Sequence, residues 1–268
     1  MADRAPRVTV FGLGEAGALI AADLAAAGAE VAGYDPASVP TPVGVRRHDD
    51  PGAAVAEPDL VLAVTPAVDA ATALEQALDS IGAGTTYADL ATSSPEKKQQ
   101  LAVTADSRGI VFADVALMAT VPGKGVRTPS FVSGPGATRY VELIEPLGGV
   151  VTSIGEEPGL AATRKLLRSV VMKGLAALTI EAMTAAERTG QAEWFWGHLA
   201  DQIGAADETL LKRLVVGTAT HADRRQHEME AAAELVARLG VDPLMTEATV
   251  ASLEQVRGAG LPDLDPWK

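Results

Sequence analysis

The stretch Arg7-Val8-Thr9-Val10-Phe11-Gly12-Leu13-Gly14-Glu15-Ala16-Gly17, continued by an alanine-rich run to Ala27 and then by Glu30-Val31-Ala32-Gly33-Tyr34-Asp35, decides the fold. It reads as a strand, a G-x-G-x-x-G turn, a helix over Ala16 to Ala27 ended by Gly28, and a second strand closing on a carboxylate. Gly12 permits the tight turn, Gly14 lets the backbone approach a pyrophosphate, and Gly17 allows close helix–strand packing. The helix N-terminus offers unpaired N–H groups and a positive dipole end to phosphates. Asp35 lies about 20 residues on, where an acid accepts hydrogen bonds from an adenosine ribose. In a chain with 26 glycines a bare glycine pattern means little, so the strand, helix and second strand around it carry the assignment. Gly12, Leu13, Gly14, Glu15, Ala16, Gly17 and Asp35 are therefore candidate dinucleotide contacts.

The 268 residues favour two domains at about 150 residues each. A formal net charge of −13 excludes a broad nucleic-acid footprint. No run approaches the length of a membrane span. The N-terminal residues enter a strand directly, without an apolar signal core, and a cytoplasmic enzyme is expected. Cysteine is absent, which excludes disulfides, thiolate nucleophiles and Cys-ligated metal. The four histidines show no H-E-x-x-H pattern, so no metal is expected.

From Arg7 to about Ile154 short apolar strands alternate with helical segments. Strands are expected at Val8–Phe11, Glu30–Tyr34, Leu60–Val64, Thr85–Ala88, Ile110–Asp114, Ser130–Ser133 and Val150–Ile154, with helices such as Ala67–Leu78 and Pro95–Ser107. That alternation predicts βαβ units, a parallel sheet and helices on both faces, a Rossmann-type doubly wound α/β domain over 1–155. Thr65 and Pro66 should lie at the C-terminal edge of that sheet, against the cofactor. Pro122, Gly123 and Gly125 mark an irregular loop.

Beyond Gly155 only helical periodicity remains, predicting an all-helical substrate and dimerisation domain over 156–268. Gly159–Arg188 holds no proline and, after Gly159 itself, a single glycine, Gly174, and reads as one long helix. From Val170 onward it is apolar nearly all round, with Leu167, Val170, Gly174, Ala177 and Leu178 on one face and Ala161, Met172, Ala176 and Met183 opposite. Such a helix is expected to be buried between two domains or two subunits. Further helices are expected at Gln191–Ile203, Asp207–Val216, Thr218–Leu239 and Met245–Arg257.

Lys165, on the long helix, is the principal candidate for chemistry. A solvated lysine is the plain alternative, and neighbouring Arg164 and Arg168 favour it. Against that stands the apolar character of the helix. A dehydrogenase needs one proton donor or acceptor beside the oxygen while hydride moves, and a lysine desolvated among cations can have its pKa lowered toward that role. Arg164, Lys165, Arg168 and Lys173 form an acid-free run, and Lys124 and Arg127 sit in the loop after Asp114. In an acidic chain these cations suit either an anionic ligand or distant surface ion pairs. His221, Arg224, Arg225 and His227 share one helix, with His221–Arg225 and Asp223–His227 as i,i+4 pairs. A solvated polar face is the favoured account of them. Trp194, Phe195 and Trp196 read as core or interface anchors rather than a substrate wall.

Four blocks make the chain resemble the β-hydroxyacid dehydrogenase superfamily, which contains 6-phosphogluconate and 3-hydroxyisobutyrate dehydrogenases. They are Gly12-Leu13-Gly14-Glu15-Ala16-Gly17, Ala63-Val64-Thr65-Pro66, Asp89-Leu90-Ala91-Thr92-Ser93-Ser94-Pro95, and Gly159 through Lys165. The resemblance covers nearly the whole length and makes Lys165 the proton donor or acceptor. It looks closer still to a little-characterised branch marked by Lys165-Leu166-Leu167-Arg168-Ser169-Val170-Val171-Met172-Lys173-Gly174 and His221-Ala222-Asp223-Arg224-Arg225. It implies a Rossmann-type domain plus a helical domain, a homodimer, and a nucleotide between the domains.

Two departures matter. The family's substrate loop reads D-x-P-V-S-G-G, where this chain has Asp114-Val115-Ala116-Leu117-Met118-Ala119-Thr120. The family's asparagine one turn after the lysine is here Ser169, shorter and without amide donors; Lys173, one turn further, could compensate with charge. These changes argue against a standard 6-phosphogluconate or 3-hydroxyisobutyrate substrate.

Asp35 favours NAD, since its carboxylate repels a 2′-phosphate. Arg46 and Arg47 would accept that phosphate if their loop folds back, which keeps NADP open. The expected activity is hydride transfer between nicotinamide and a small anionic hydroxy or oxo acid. Lys165 and Ser169 serve catalysis, Thr65, Pro66 and Thr92 join the cofactor contacts, and Met118, Ala119, Thr120, Lys124 and Lys173 contact substrate. Imine reduction and a dinucleotide-binding sensor without turnover remain the alternatives.

Overall fold

The computed structural model describes residues 4–261 and 263. The chain divides into two compact units after Arg168. The expected division at 155/156 precedes the long helix; the units part inside it, because its first turns are hydrogen-bonded to the sheet.

The first unit runs β1 (Arg7–Phe11), α1 (Glu15–Ala26), β2 (Glu30–Tyr34), β3 (Val45–His48), α2 (Pro51–Ala54), β4 (Leu60–Ala63), α3 (Ala70–Leu78), β5 (Thr86–Asp89), α4 (Pro95–Asp106), β6 (Val111–Leu117), β7 (Ser130–Ser133), α5 (Ala137–Ile144) and β8 (Val151–Ser153). The strands form one sheet in the order β3-β2-β1-β4-β5-β6-β7-β8. Its first six strands have the doubly wound order, which reverses between β1 and β4. β4 (Leu60-Val61-Leu62-Ala63) is buried at every position, as a strand covered on both faces must be. Val8, Val10, Leu60 and Leu62 pack with Ile20, Leu24 and Tyr140 on one side of the sheet. Phe11, Val61 and Ala63 pack with Leu74 and Leu101 on the other.

The sheet is not wholly parallel, as the alternation had suggested: β7 runs antiparallel to β6. No crossover helix joins those two strands, only a loop with a short 3-10 turn at Gly125–Arg127, so the chain returns in the opposite sense. Three elements went unread. β3 (Val45-Arg46-Arg47-His48) is a polar edge strand, α2 is a single turn, and the amphipathic α5 follows two glycines that obscure its start. Register places Tyr34, Phe11, Ala63, Asp89, Asp114 and Ser133 side by side across the sheet, at the C-terminal ends of its parallel strands β2, β1, β4 and β5.

After β8 the chain enters α6 (Leu160–Arg188), followed by α7 (Ala192–Gly204), α8 (Glu208–Arg238) and α9 (Leu244–Ala259). The break expected between Asp207–Val216 and Thr218–Leu239 falls about one turn later, as a kink in α8 at His221 (φ −124, ψ 25) where two helices meet. Arg225 donates to the Leu214 carbonyl at 3.1 Å and to the Thr218 hydroxyl, bridging the bend. Gly217 leaves room for that guanidinium, since a Cβ there would stand 3.2 Å from it. Glu181 on α6 is buried and accepts from Met245 N (2.6 Å), Thr246 N (3.0 Å) and Thr246 Oγ1 (2.5 Å), tying down the start of α9. Burial works against its charge, but these three donors hold its carboxyl below the ordinary 4.5.

α6, expected to be buried between two domains or two subunits, is exposed along much of its length in the single chain. Val170, Val171 (66% exposed) and Ile180 (67%) stand in solvent, because a helix apolar on all sides exceeds what its own chain covers. Trp194 (64% exposed) and Trp196 are likewise not core; Trp194 stacks on His198 at 5.6 Å. Among the described residues no helix is long and apolar enough to cross a membrane.

Candidate functional site

The glycine turn connects β1 to α1 at the edge where strand order reverses. Gly12 has φ +89, and a Cβ on it would lie 2.4 Å from the Val64 carbonyl oxygen of the next strand. A Cβ on Gly17 would lie 1.8 Å from the Gly12 carbonyl oxygen, so helix and turn touch backbone to backbone. Gly14 differs: nothing stands within 4 Å of a Cβ there, which leaves an open face before the helix. As N-cap, Gly14 offers no side-chain bond to the first amides of α1. Two glycines thus shape the turn and the third leaves it accessible, the arrangement that an approaching phosphate needs.

Asp35 follows β2 directly. Its Oδ2 accepts from Leu13 N at 2.7 Å and its Oδ1 from Ala37 N at 2.8 Å. The carboxylate therefore braces the glycine turn, with lone pairs left for a further donor. Arg47 is committed to the loop after β2, donating to the carbonyls of Val39 (2.5 Å), Asp35 (3.0 Å) and Ala37 (2.6 Å). Arg46 lies instead in a groove of about 410 Å³ at the opposite edge of the sheet, with Arg7, Glu30 and Glu57.

A cleft of about 460 Å³ opens at the reversal point, lined by Gly12, Gly14, Asp35, Thr65, Pro66 and Gln76. Open doubly wound sheets bind ligands at this place. Thr65 Oγ1 is buried without a hydrogen-bond partner, a polar group that a bound dinucleotide would satisfy. These residues fit the cofactor that the sequence predicts. The cleft brings together the turn, Asp35, Thr65 and Pro66 but not Thr92, which is exposed in the loop after β5. Its neighbour Ser93 is buried with an unpartnered Oγ, and went unread.

Lys165 is half-buried in the second turn of α6. Arg164 beside it lies 5.1 Å over the Phe131 ring and is spent on packing. The helix start is tied to the sheet: Asp114 Oδ2 accepts from Gly159 N (3.1 Å) and Ala162 N (3.0 Å), and Ser133 Oγ accepts from Ala161 N (3.1 Å). Gly159 (φ +99) abuts Pro95, whose carbonyl oxygen would lie 3.0 Å from a Cβ there. The third and fourth blocks of the resemblance therefore meet in space. Met118 and Ala119 are half-buried just beyond β6, where Met118 N donates to the Pro129 carbonyl at 2.7 Å. Thr120, Lys124 and Arg127 are exposed. Ser169 and Lys173 follow on α6 within the second unit, Lys173 exposed.

Sequence reading missed the most buried cation among the described residues. Lys98 on α4 is 1% exposed; its Nζ lies 2.9 Å from Asp89 Oδ2 and 3.1 Å from Asp114 Oδ1, and donates to the Asp89 carbonyl at 2.7 Å. A signal existed: Lys98, Leu101 and Ala105, spaced by three and four, form the buried face of α4. Two residues before Asp89, burial and then the Asp89 charge push the Tyr87 phenol well above its ordinary value, so it stays neutral.

The polar cluster on α8 pairs otherwise than spacing suggested. Arg225 serves the kink, Arg224 bonds Glu228 at 2.6 Å, and Asp223 lies 3.6 Å from Arg257.

Among known proteins, the chain is 28% identical to an uncharacterized 28.5 kDa protein in the 7S RNA 5′ region of Methanothermus fervidus, over 77% of this chain and 79% of that protein. It is 28% identical to a probable 3-hydroxyisobutyrate dehydrogenase of Mycobacterium tuberculosis, over 68% of this chain and 65% of the other. A Streptomyces aurantiacus imine reductase shares the fold, with a TM-score of 0.79 at 22% identity over 95% of each chain. Residues 186–256 match a domain of unknown function, DUF1932. Residues 7–152 match the NAD binding domain of 6-phosphogluconate dehydrogenase. With a glycine turn of the required shape, a cleft at the strand reversal and that match over more than half its length, the chain belongs to this family of NAD(P)-dependent oxidoreductases.

Proposed function

We propose that the protein interconverts a small, anionic hydroxy acid and its oxo form, with Lys165 exchanging the proton of the reacting oxygen. One observation carries the reading. The helix bearing Lys165 starts on Asp114, in register with Phe11, the residue before the glycine turn. Three strand spacings separate them, about 14 Å along one sheet edge. Bound nicotinamide supplies or takes the hydride. In the reducing direction Lys165 Nζ gives a proton to the oxygen as the carbon gains hydride; in the oxidising direction it takes that proton back. Ser169 and Lys173 follow at intervals of four on the same helix and would hold the oxygen and the anionic group. Thr92 and the Met118–Lys124 loop, including Ala119 and Thr120, would shape the rest of the substrate site. NAD is the favoured cofactor: Asp35 faces the cleft, while Arg47 is engaged by loop carbonyls and would not meet a 2′-phosphate. The partner is a second copy of this chain, which would cover the exposed apolar face of α6.

Ser169 in place of asparagine and the altered loop after Asp114 favour imine reduction as the second reading. Glyoxylate, succinate semialdehyde, 3-hydroxyisobutyrate and 2-methyl-1-pyrroline, each tested with both cofactors, separate the two. Lys165→Ala should lower turnover by about 10²- to 10⁴-fold while leaving NADH affinity intact. Unchanged turnover in that variant would overturn the acid–base role. Tight cofactor binding with no turnover on any compound would point to a sensor instead.

A further inference from the structure

Lys98, Asp89 and Asp114 form a buried cluster of one cation and two carboxylates, exposed by 1%, 1% and 0%. With all three ionised the cluster carries one uncompensated negative charge in a place that water does not reach. Burying such a charge is costly unless fixed dipoles answer it. Asp89 Oδ1 accepts from Ala91 N at 3.1 Å. Asp114 Oδ2 meets three donors: Gly159 N, Ala162 N and the Ser133 hydroxyl at 3.2 Å. Two of these are the leading amides of α6, whose aligned peptides place partial positive charge there. The surplus charge of the cluster and the positive end of the helix are therefore complementary. Neither is satisfied without the other.

We propose that Lys98 is a positioning residue that fixes the first turn of α6 through Asp114, and with it the place of Lys165 three residues beyond Ala162. This rests on the reading of Lys165 as the proton donor. Lys98 holds Asp114 Oδ1 on one side, so that Oδ2 points at the helix amides on the other. Without its ammonium, Asp89 and Asp114 are left as two buried carboxylates next to one another, and their repulsion is relieved most readily by moving Asp114. The helix start moves with it. A misplacement near 1 Å costs about 10²-fold in rate. The glycine turn lies three strands away and shares none of these bonds.

The test compares Lys98→Met, Asp89→Asn, the double variant, and Lys165→Ala. Amide hydrogen exchange over 155–168, NADH affinity, and kcat and KM on whichever of the four compounds turns over are measured. Lys98→Met should exchange faster over 155–168 and lose about 10- to 100-fold in kcat with NADH affinity unchanged. Adding Asp89→Asn, which restores the charge count without restoring the lysine, should return both toward wild type. Wild-type exchange in Lys98→Met, or no recovery in the double variant, overturns the proposal. If Lys98→Met does not fold, Ser133→Ala cuts the network at its other end and should speed exchange over the same segment; wild-type exchange there overturns the proposal equally. Should Lys165→Ala keep full turnover, the acid–base reading falls, while the exchange data still decide whether Lys98 seats the helix.

Discussion

The two units use their apolar residues in opposite ways. In the α/β unit both faces of the sheet are closed by helices, and β4 is buried at every position. In the helical unit Val171, Ile180, Trp194, Trp196, Leu211 and Leu214 all stand in solvent, and α7 buries no residue at all. Leaving these six exposed forgoes on the order of 10 kcal/mol, as much as the whole net stability of an ordinary domain. The first unit closes its own core on both faces of its sheet. The second leaves an apolar surface open, which the proposed second copy of the chain would cover.

The contrast is broken most sharply from the N-terminal side. Gly17→Ala drives a methyl into the Gly12 carbonyl oxygen and should cost about 3 kcal/mol along with NADH binding. Urea denaturation and NADH fluorescence titration check both. Retained affinity would mean that the turn yields more than its contacts imply. On the helical side, Ile180→Glu places a charge on the exposed apolar face of α6 and should weaken self-association by at least about 100-fold, roughly 2.7 kcal/mol. Light scattering across a dilution series reads this; an unaltered dimer would place the interface elsewhere.

Glu181→Ala removes all three acceptor contacts at the start of α9 and should destabilise the helical unit by about 2 kcal/mol. The carboxyl is held below 4.5 in the folded protein, so its contribution is complete above that value. It is lost as the pH falls through the lowered folded value. Unfolding at pH 7 should therefore separate variant from parent, with the gap closing in acid. A pH-independent gap would mean that packing, not charge, holds α9. The smallest effect belongs to Arg224→Ala, which breaks an exposed pair with Glu228 and should cost under about 0.5 kcal/mol. A larger loss, by thermal melting, would show that the α8 cluster is more than a solvated face.

What could be read from sequence depended on how local the cause was. Gly12, Gly14, Gly17 and Asp35 announce their turn within one βαβ unit, because backbone geometry there dictates the residue type. The extent of α6 was legible for the same reason: periodicity without proline fixes a helix wherever it lies. Its burial was not, because that depends on what stands opposite. β7 returned antiparallel because of a loop whose path no pattern encodes. Lys98 stands in sequence as one charge beside Glu96 and Lys97, and only the register of Asp89 beside Asp114 gives it a role. Arg47 could meet a phosphate only if its loop folded back, a path that sequence does not encode; its guanidinium bonds three backbone carbonyls.

Asp35 carries a consequence for anyone seeking to retarget the cofactor. Its side chain, the proposed reader of the ribose, is also a latch on the turn, through Leu13 N. Exchanging it for a neutral residue to admit a phosphate would loosen the loop that must cradle the pyrophosphate, so selectivity and affinity would fall together. Ala37 offers a better handle. It lines the same cleft, and its own ties to the framework run through backbone atoms that a new side chain leaves in place. Redesign that begins there can add a charge without unfastening the turn.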